Sequence, residues 1–268
     1  MQRPRNIPAA LPEAETIDVQ ALKQSLADGS VELVCVLGPT ASGKTKYAVA
    51  LARELGGEII SADSRQVYRG MDIGTGKDLA EYGDIPYHVI DVADPGDGYN
   101  VFRFKEDFQR AYDDIRSRGA VPILCGGTGL YINAVTSGYD FKTHKPLSEP
   151  AVMPGETGHP TILRTYFIGT LVSREVRNAR IDARLDARLQ EGMVDEIKGL
   201  LDSGVPAATL ISYGLEYKFV TLYLTGALDY DFMRTQLATA IHQFAKRQMT
   251  WFRGMERSGV TIHWTEVQ

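Results

Sequence analysis

Val31–Thr45, VELVCVLGPTASGKT, decides the fold. A short apolar run ends at Gly38, and G-P-T-A-S-G-K-T then fits the phosphate-loop pattern G-x-x-x-x-G-K-[ST] at every position. Gly38 and Gly43 let the backbone curl so that successive N–H groups point inward at an anion. The expected diphosphate-binding set is Gly38, Pro39, Thr40, Ala41, Ser42, Gly43, Lys44 and Thr45. Lys44 brings a mobile positive charge, and the Thr45 hydroxyl is placed for Mg²⁺. A helix from Lys44 to about Leu55 aims its positive end at the same spot. These residues predict binding of a di- or triphosphate.

Outward from that loop, short apolar strands alternate with amphipathic helices. Strands are expected at Glu58–Ile60, Tyr87–Val92, Val121–Cys125 and Tyr166–Val172, with an edge strand at Val260–Trp264. Helices are expected at Thr16–Asp28, Phe102–Arg118 and from GGTGLY to about Ser137. The chain is read as helical after Ser173, with helices at Gly214–Thr225 and Asp231–Trp251. Such alternation means an α/β fold, a parallel sheet with helices on both faces. Ligands then sit at the carboxyl ends of the strands. The expected organisation is an N-terminal arm and helix (1–30), an α/β core (31–140), a proline-broken loop (141–165), and a last core strand with C-terminal helices (166–268).

The 268 residues are 44% apolar and 24% charged, as in an ordinary soluble domain, so a cytoplasmic protein is expected. No apolar run reaches the ~20 residues of a membrane-spanning helix. Cys35 and Cys125 fall in buried strands and read as small core residues. Five scattered histidines show no metal-ligand spacing. A net charge of −5 argues against bulk adhesion to nucleic acid but leaves room for a local basic face.

Four groups carry candidate chemistry. Asp63 follows a short strand beside the phosphate loop and suits a general base or a metal ligand; capping the next turn is the bland alternative. Arg174, Arg177, Arg180, Arg184 and Arg188 lie within about a third of one helix circumference. They form either a cationic face toward phosphates or a solvated face paired with Asp182, Asp186 and Glu191. GGTGLY, Gly126–Tyr131, allows close backbone approach to a ligand, with Thr128 as a hydroxyl. AKRQMTWFR, Ala245–Arg253, mixes Lys246, Arg247 and Arg253 with Trp251 and Phe252, which suits either a nucleic-acid surface or a helix anchored in the core.

Together, GPTASGKT (38–45), ISADSRQVYRGMDIGTGK (60–77), HVIDV with DP (88–95), PILCGGTGLYI (122–132), RIDAR (180–184), GMVDEIKGLL (192–201) and AKRQMTWFR (245–253) resemble the tRNA dimethylallyltransferases, also called tRNA isopentenyltransferases. The resemblance covers about 31–139 and 166–253. It implies a P-loop NTPase-like core with a helical C-terminal part. The implied reaction moves a dimethylallyl group from dimethylallyl diphosphate, with Mg²⁺, to N6 of an adenine in the tRNA anticodon loop. Carried over residue by residue, Asp63 is the general base. Thr40 and Arg184 lie beside the diphosphate and reacting centre. Ser64, Arg65, Gln66 and Thr128 contact the acceptor, with Arg247 on the same side. A monomer is expected.

One departure concerns the acceptor. The tRNA-type enzymes carry a helical insertion of several dozen residues after the GGTGLY helix, which grips the anticodon stem-loop. Here that place holds only Phe141–Arg164. That gap and the acidic charge favour the alternative acceptors AMP, ADP or ATP, used by the related adenylate isopentenyltransferases. KRQMTWFR and ADSRQVYRG favour tRNA. A rival of another class is a nucleotide kinase or ATPase, with Asp91 of VIDV as a magnesium ligand.

Overall fold

The computed structural model describes residues 11–137, 139–140, 145–146 and 164–267. Most of the proline-broken stretch 141–165 thus lies outside the described residues. Within it, β6 (Lys145–Pro146) pairs antiparallel with β5 (Tyr139–Asp140).

Six strands form one parallel sheet: β1 (Leu33–Leu37), β2 (Gly57–Ser61), β3 (Tyr87–His88), β4 (Val121–Gly126), β7 (Thr165–Leu171) and β8 (Ile262–Glu266). Their order across the sheet is β3-β2-β4-β1-β7-β8. Every residue of β1 is buried, as a central strand covered on both faces requires. Its alternation divides the core in two. Leu33, Cys35 and Leu37 pack toward the larger cluster, while Val34 and Val36 pack toward the smaller.

The smaller cluster lies under α1 (Val19–Ala27) and α2 (Lys44–Leu55). Asp18 caps α1, accepting from the Ala21 N–H at 3.0 Å. The larger cluster lies under α3 (Val101–Ser117), α4 (Gly129–Thr136) and the C-terminal helices. Those helices are α5 (Arg174–Gln190), α6 (Met193–Asp202), α7 (Ala207–Ser212), α8 (Leu215–Leu224) and α9 (Tyr230–Arg257). Ser173 caps α5, its hydroxyl accepting from the Val176 N–H. Both cysteines are buried and free, and burial pushes their thiols up.

One strand is shorter than the sequence suggests. Tyr87–Val92 alternates like a strand, yet β3 is only Tyr87–His88. Val89 and Asp91 take left-handed backbone angles, φ +62° and +55°. Beyond His88 the chain changes partner: the Asp91, Val92 and Ala93 N–H groups donate to the carbonyls of Gln66 and Val67. Val89 and Ile90 are then buried in opposite clusters.

Candidate active site

Three loops meet at the carboxyl ends of adjacent strands: the phosphate loop after β1, residues 62–66 after β2, and Gly126–Thr128 after β4. In the phosphate loop, Gly43 has φ +78° and caps α2. A Cβ on Gly38 would meet the Thr170 hydroxyl at 2.2 Å, so only glycine fits there. The N–H groups of Gly43, Lys44 and Thr45 have no backbone partner among the described residues and open into the loop. Two expected ligand groups are engaged elsewhere. The Ser42 hydroxyl lies 2.7 Å from the Thr170 hydroxyl in the core, and its N–H turns to the Pro39 carbonyl. The Thr40 N–H donates to Gln248 Oε1 at 2.8 Å.

Lys44 faces the cluster with a pKa below the ordinary lysine value. Burial lowers it most, and Arg184 and Arg65 lower it further, while Cys125 and the Asp63 carboxylate act the other way. The loop ammonium and that carboxylate therefore share one electrostatic neighbourhood. Among the described residues no cluster of three His, Cys, Asp or Glu side chains could hold a metal. The Thr45 hydroxyl, in the first turn of α2, has no hydrogen-bond partner there. One hydroxyl plus phosphate oxygens and water suits Mg²⁺, which keeps several waters and is commonly bound through its substrate.

Asp63 is anchored at one oxygen. Oδ1 accepts the Arg65 N–H at 3.0 Å, an Asx turn, and lies 3.6 Å from Arg65 Nε. Oδ2 makes no hydrogen bond among the described residues. Arg65 Nη1 also donates to Glu216 at 2.5 Å. Burial opposes the Arg65 charge, but Glu216 and then Asp63 outweigh it and hold its pKa above the ordinary arginine value. The guanidinium lies 5.7 Å from the centre of the Phe244 ring, and exposed Arg247 lies 5.8 Å from the same ring.

Two cavities flank the Arg65–Glu216 pair. Thr40, Ala41, Arg184, Arg188 and Glu216 are among the residues lining one, a recess of only about 20 Å³ beside the phosphate loop. Ser64, Arg65, Tyr68, Tyr99, Tyr131 and Tyr213 are among the residues lining the other, of about 380 Å³. Thr128 braces the turn between them: its hydroxyl accepts the Ser64 N–H at 3.2 Å, and its own N–H donates to the Ala62 carbonyl. Gln66 points away from both cavities, accepting from the Ser61 hydroxyl and donating to the Gly76 carbonyl.

Three residues that lie in the family-like stretches but were not singled out there hold this arrangement. Gln248, on α9, accepts from Thr40 and donates to the Gly127 carbonyl at 3.0 Å, joining two of the three loops. Glu196, near the start of α6, accepts the N–H groups of Asp72, Ile73 and Gly74 and the Tyr217 hydroxyl. Lys77, its side chain fully buried, donates to the Tyr68 carbonyl, Asp72 and Asp91. That last contact corrects the kinase reading: Asp91 is tied to a lysine beyond an edge strand, not poised for a metal beside the phosphate loop.

The arginine row also differs from its bland reading. Asp182 pairs with His242 and Asp186 with Arg234, both on α9, instead of with arginines of their own helix. Arg184 reaches Asp78.

The isopentenyl transferase family model matches residues 31–82, and that of the IPP transferases matches 66–153 and 143–255. tRNA dimethylallyltransferase 1 of Porphyromonas gingivalis is 50% identical, the match covering 87% of this chain and 93% of that protein. tRNA dimethylallyltransferase 2 of Bacteroides fragilis is 47% identical over 88% and 92%. A crystal structure of the full-length tRNA isopentenylpyrophosphate transferase of Bacillus halodurans superposes with a TM-score of 0.73 at 32% identity, covering 88% of this chain and 89% of that one. As 87% of 268 residues is about 233, about 49 of the 282 positions aligned with the Porphyromonas protein have no counterpart here. The two IPP transferase pieces meet at 143–153, where the expected insertion is missing.

Proposed function

The chain belongs to the tRNA dimethylallyltransferase family, and on that premise we propose how its residues share the work. The enzyme transfers a dimethylallyl group from dimethylallyl diphosphate to N6 of an adenine in tRNA. We assign the donor's diphosphate to the phosphate loop, with the small recess of Thr40, Arg184 and Arg188 at its side, and an anticodon-loop adenosine to the tyrosine-lined cavity. Asp63 lines neither cavity; it lies 3.6 Å from Arg65, which lines the tyrosine-rich one and pairs with Glu216 of the other.

Lys44 and the N–H groups of Gly43, Lys44 and Thr45 bind the diphosphate and take up its charge as the bond to the allylic carbon breaks. Thr45 would hold Mg²⁺ with the donor's phosphate oxygens; when bound, the ion supplies further neutralisation of the leaving group. The adenine amine is a weak nucleophile because its lone pair is delocalised into the ring. As the new C–N bond forms, its proton passes to Asp63 through the unengaged Oδ2, while Oδ1 stays fixed by the Arg65 N–H. Ser64, Arg65 and Thr128 shape the acceptor side, and Arg247 offers charge to the RNA backbone. Gln66, turned to Ser61 and Gly76, supports the turn and leaves the base to its neighbours.

The observation that most supports this reading is the meeting of the phosphate loop, residues 62–66 and Gly126–Thr128 at the carboxyl ends of three neighbouring strands, which brings Lys44 and Asp63 to one end of the sheet. The test is a transfer assay with dimethylallyl diphosphate and Mg²⁺, comparing an anticodon stem-loop with AMP. Prenylated adenosine in the RNA is the expected product. Transfer to AMP with none to RNA would overturn the acceptor assignment.

A further inference from the structure

Arg188, on α5, sits beside Arg184. Its guanidinium and that of Arg184 converge over the turn at Gly76. A Cβ on Gly76 would lie 1.6 Å from Arg188 Nη2 and 2.8 Å from Arg184 Nη2. Arg184 has a counter-ion in Asp78. Arg188 makes no hydrogen bond and has no carboxylate within 4.0 Å among the described residues. The two carboxylates it senses are already engaged: Glu216 by Arg65, and Asp78 by Arg184. Burial, and then Arg184 beside it, push its pKa down to about 10. Two like charges thus share a recess with one available carboxylate. A cation kept in that position is unfavourable unless an anion arrives to compensate it.

Arg188 and Arg184 line a small recess, of about 20 Å³, together with Thr40 and Ala41 of the phosphate loop. Gly76, at φ +65°, clears the space that the two guanidinia occupy. We propose that Arg188 is a second clamp on the donor's diphosphate, closing on the phosphoryl group that faces α5 while Lys44 and the loop N–H groups hold the other. A guanidinium can make two parallel hydrogen bonds to phosphate oxygens, which a lysine ammonium cannot. The clamp would act on donor and on released pyrophosphate alike. It would therefore set the affinity for the diphosphate more than the proton transfer at Asp63.

This inference rests on the phosphate loop holding a diphosphate, so the experiment tests the two separately. Inorganic pyrophosphate with Mg²⁺ is titrated calorimetrically, and melting temperatures are recorded with and without it, for the wild type, Arg188→Met, Arg188→Lys and Lys44→Ala. Arg188→Met keeps the length and apolar stem and removes the charge. It is expected to melt no lower than the wild type without ligand, because an uncompensated cation has gone. Its pyrophosphate affinity should fall about tenfold or more, with the ligand-induced melting shift largely lost, and Arg188→Lys should fall between.

Arg188→Met binding pyrophosphate within about twofold of the wild type, while Lys44→Ala has lost it, would overturn the clamp and leave the phosphate loop standing. A wild type that does not bind pyrophosphate would overturn both. A ligand-free Arg188→Met that melts several degrees lower, with unchanged affinity in its folded fraction, would make Arg188 a structural residue and end the proposal.

Discussion

Gln248 and Thr40, 208 residues apart in the chain, are joined by a 2.8 Å hydrogen bond from the Thr40 N–H to the Gln248 side-chain carbonyl. The same amide donates to Gly127, so one buried side chain fixes the spacing of the phosphate loop and the loop after β4. Replacing it with leucine would strand a backbone donor and a backbone acceptor, costing about 1–3 kcal/mol. Gln248→Leu should therefore lower the denaturation midpoint and raise the donor KM more than it lowers kcat. An unchanged donor KM would show that the loop keeps its shape without this brace.

Gly127 answers to the same contact. A Cβ there would lie 2.3 Å from Gln248 Nε2, so Gly127→Ala must push the amide off its partners. Its donor KM should rise as it does for Gln248→Leu, and the double variant should be little worse than either single one. Additive losses in a double-mutant cycle would uncouple the two residues.

Glu216 is buried and separates the two cavities by holding Arg65. Among the described residues, Glu216→Gln leaves Arg65 with Asp63 as its one carboxylate within 4.0 Å, at 3.6 Å. Removing one partner of a buried pair costs about 3 kcal/mol. Arg65 is then free to close on Asp63 and compete for the oxygen that takes the proton. Thermal denaturation and kcat should both fall. A variant with wild-type kcat would mean that the pair only supports the fold.

Asp91 gives a direct check on the rejected metal role. Asp91→Asn should destabilise the protein by about 1–3 kcal/mol, since Lys77 has no exposure through which to find water and Asp91 itself is partly exposed. The Mg²⁺ concentration for half-maximal activity should stay where it is. A large rise in that concentration would return Asp91 to the metal site.

The phosphate loop and α2 were legible because their chemistry fixes residue types at fixed spacing, and the helix runs from Lys44 to Leu55 as read. Asp63 was legible as a residue just beyond a strand end, and it does follow β2. Other parts depended on partners far away in the chain. A glutamine between cations and aromatics at 246–252 gives no local sign that it meets Thr40. Glu196 lies in an amphipathic helix like any solvated acid, yet it gathers three backbone N–H groups from 72–74. In YHVIDV, alternation predicted a strand, but backbone bonds to Gln66 and Val67 turned the chain away after two residues. The periodicity of the arginines showed a common face. It could not show that Asp78, from a distant loop, pairs with Arg184 and that Arg188 has no carboxylate within 4.0 Å among the described residues.

The central claim is that the carboxylate of Asp63 takes the proton from the adenine amine while the phosphate loop holds the donor. Single-turnover transfer to an anticodon stem-loop, at saturating donor and Mg²⁺, measures that step for Asp63→Asn against the wild type. The rate should fall at least ~10²-fold with donor affinity changed by no more than about twofold. A rate within about threefold of the wild type would contradict the account.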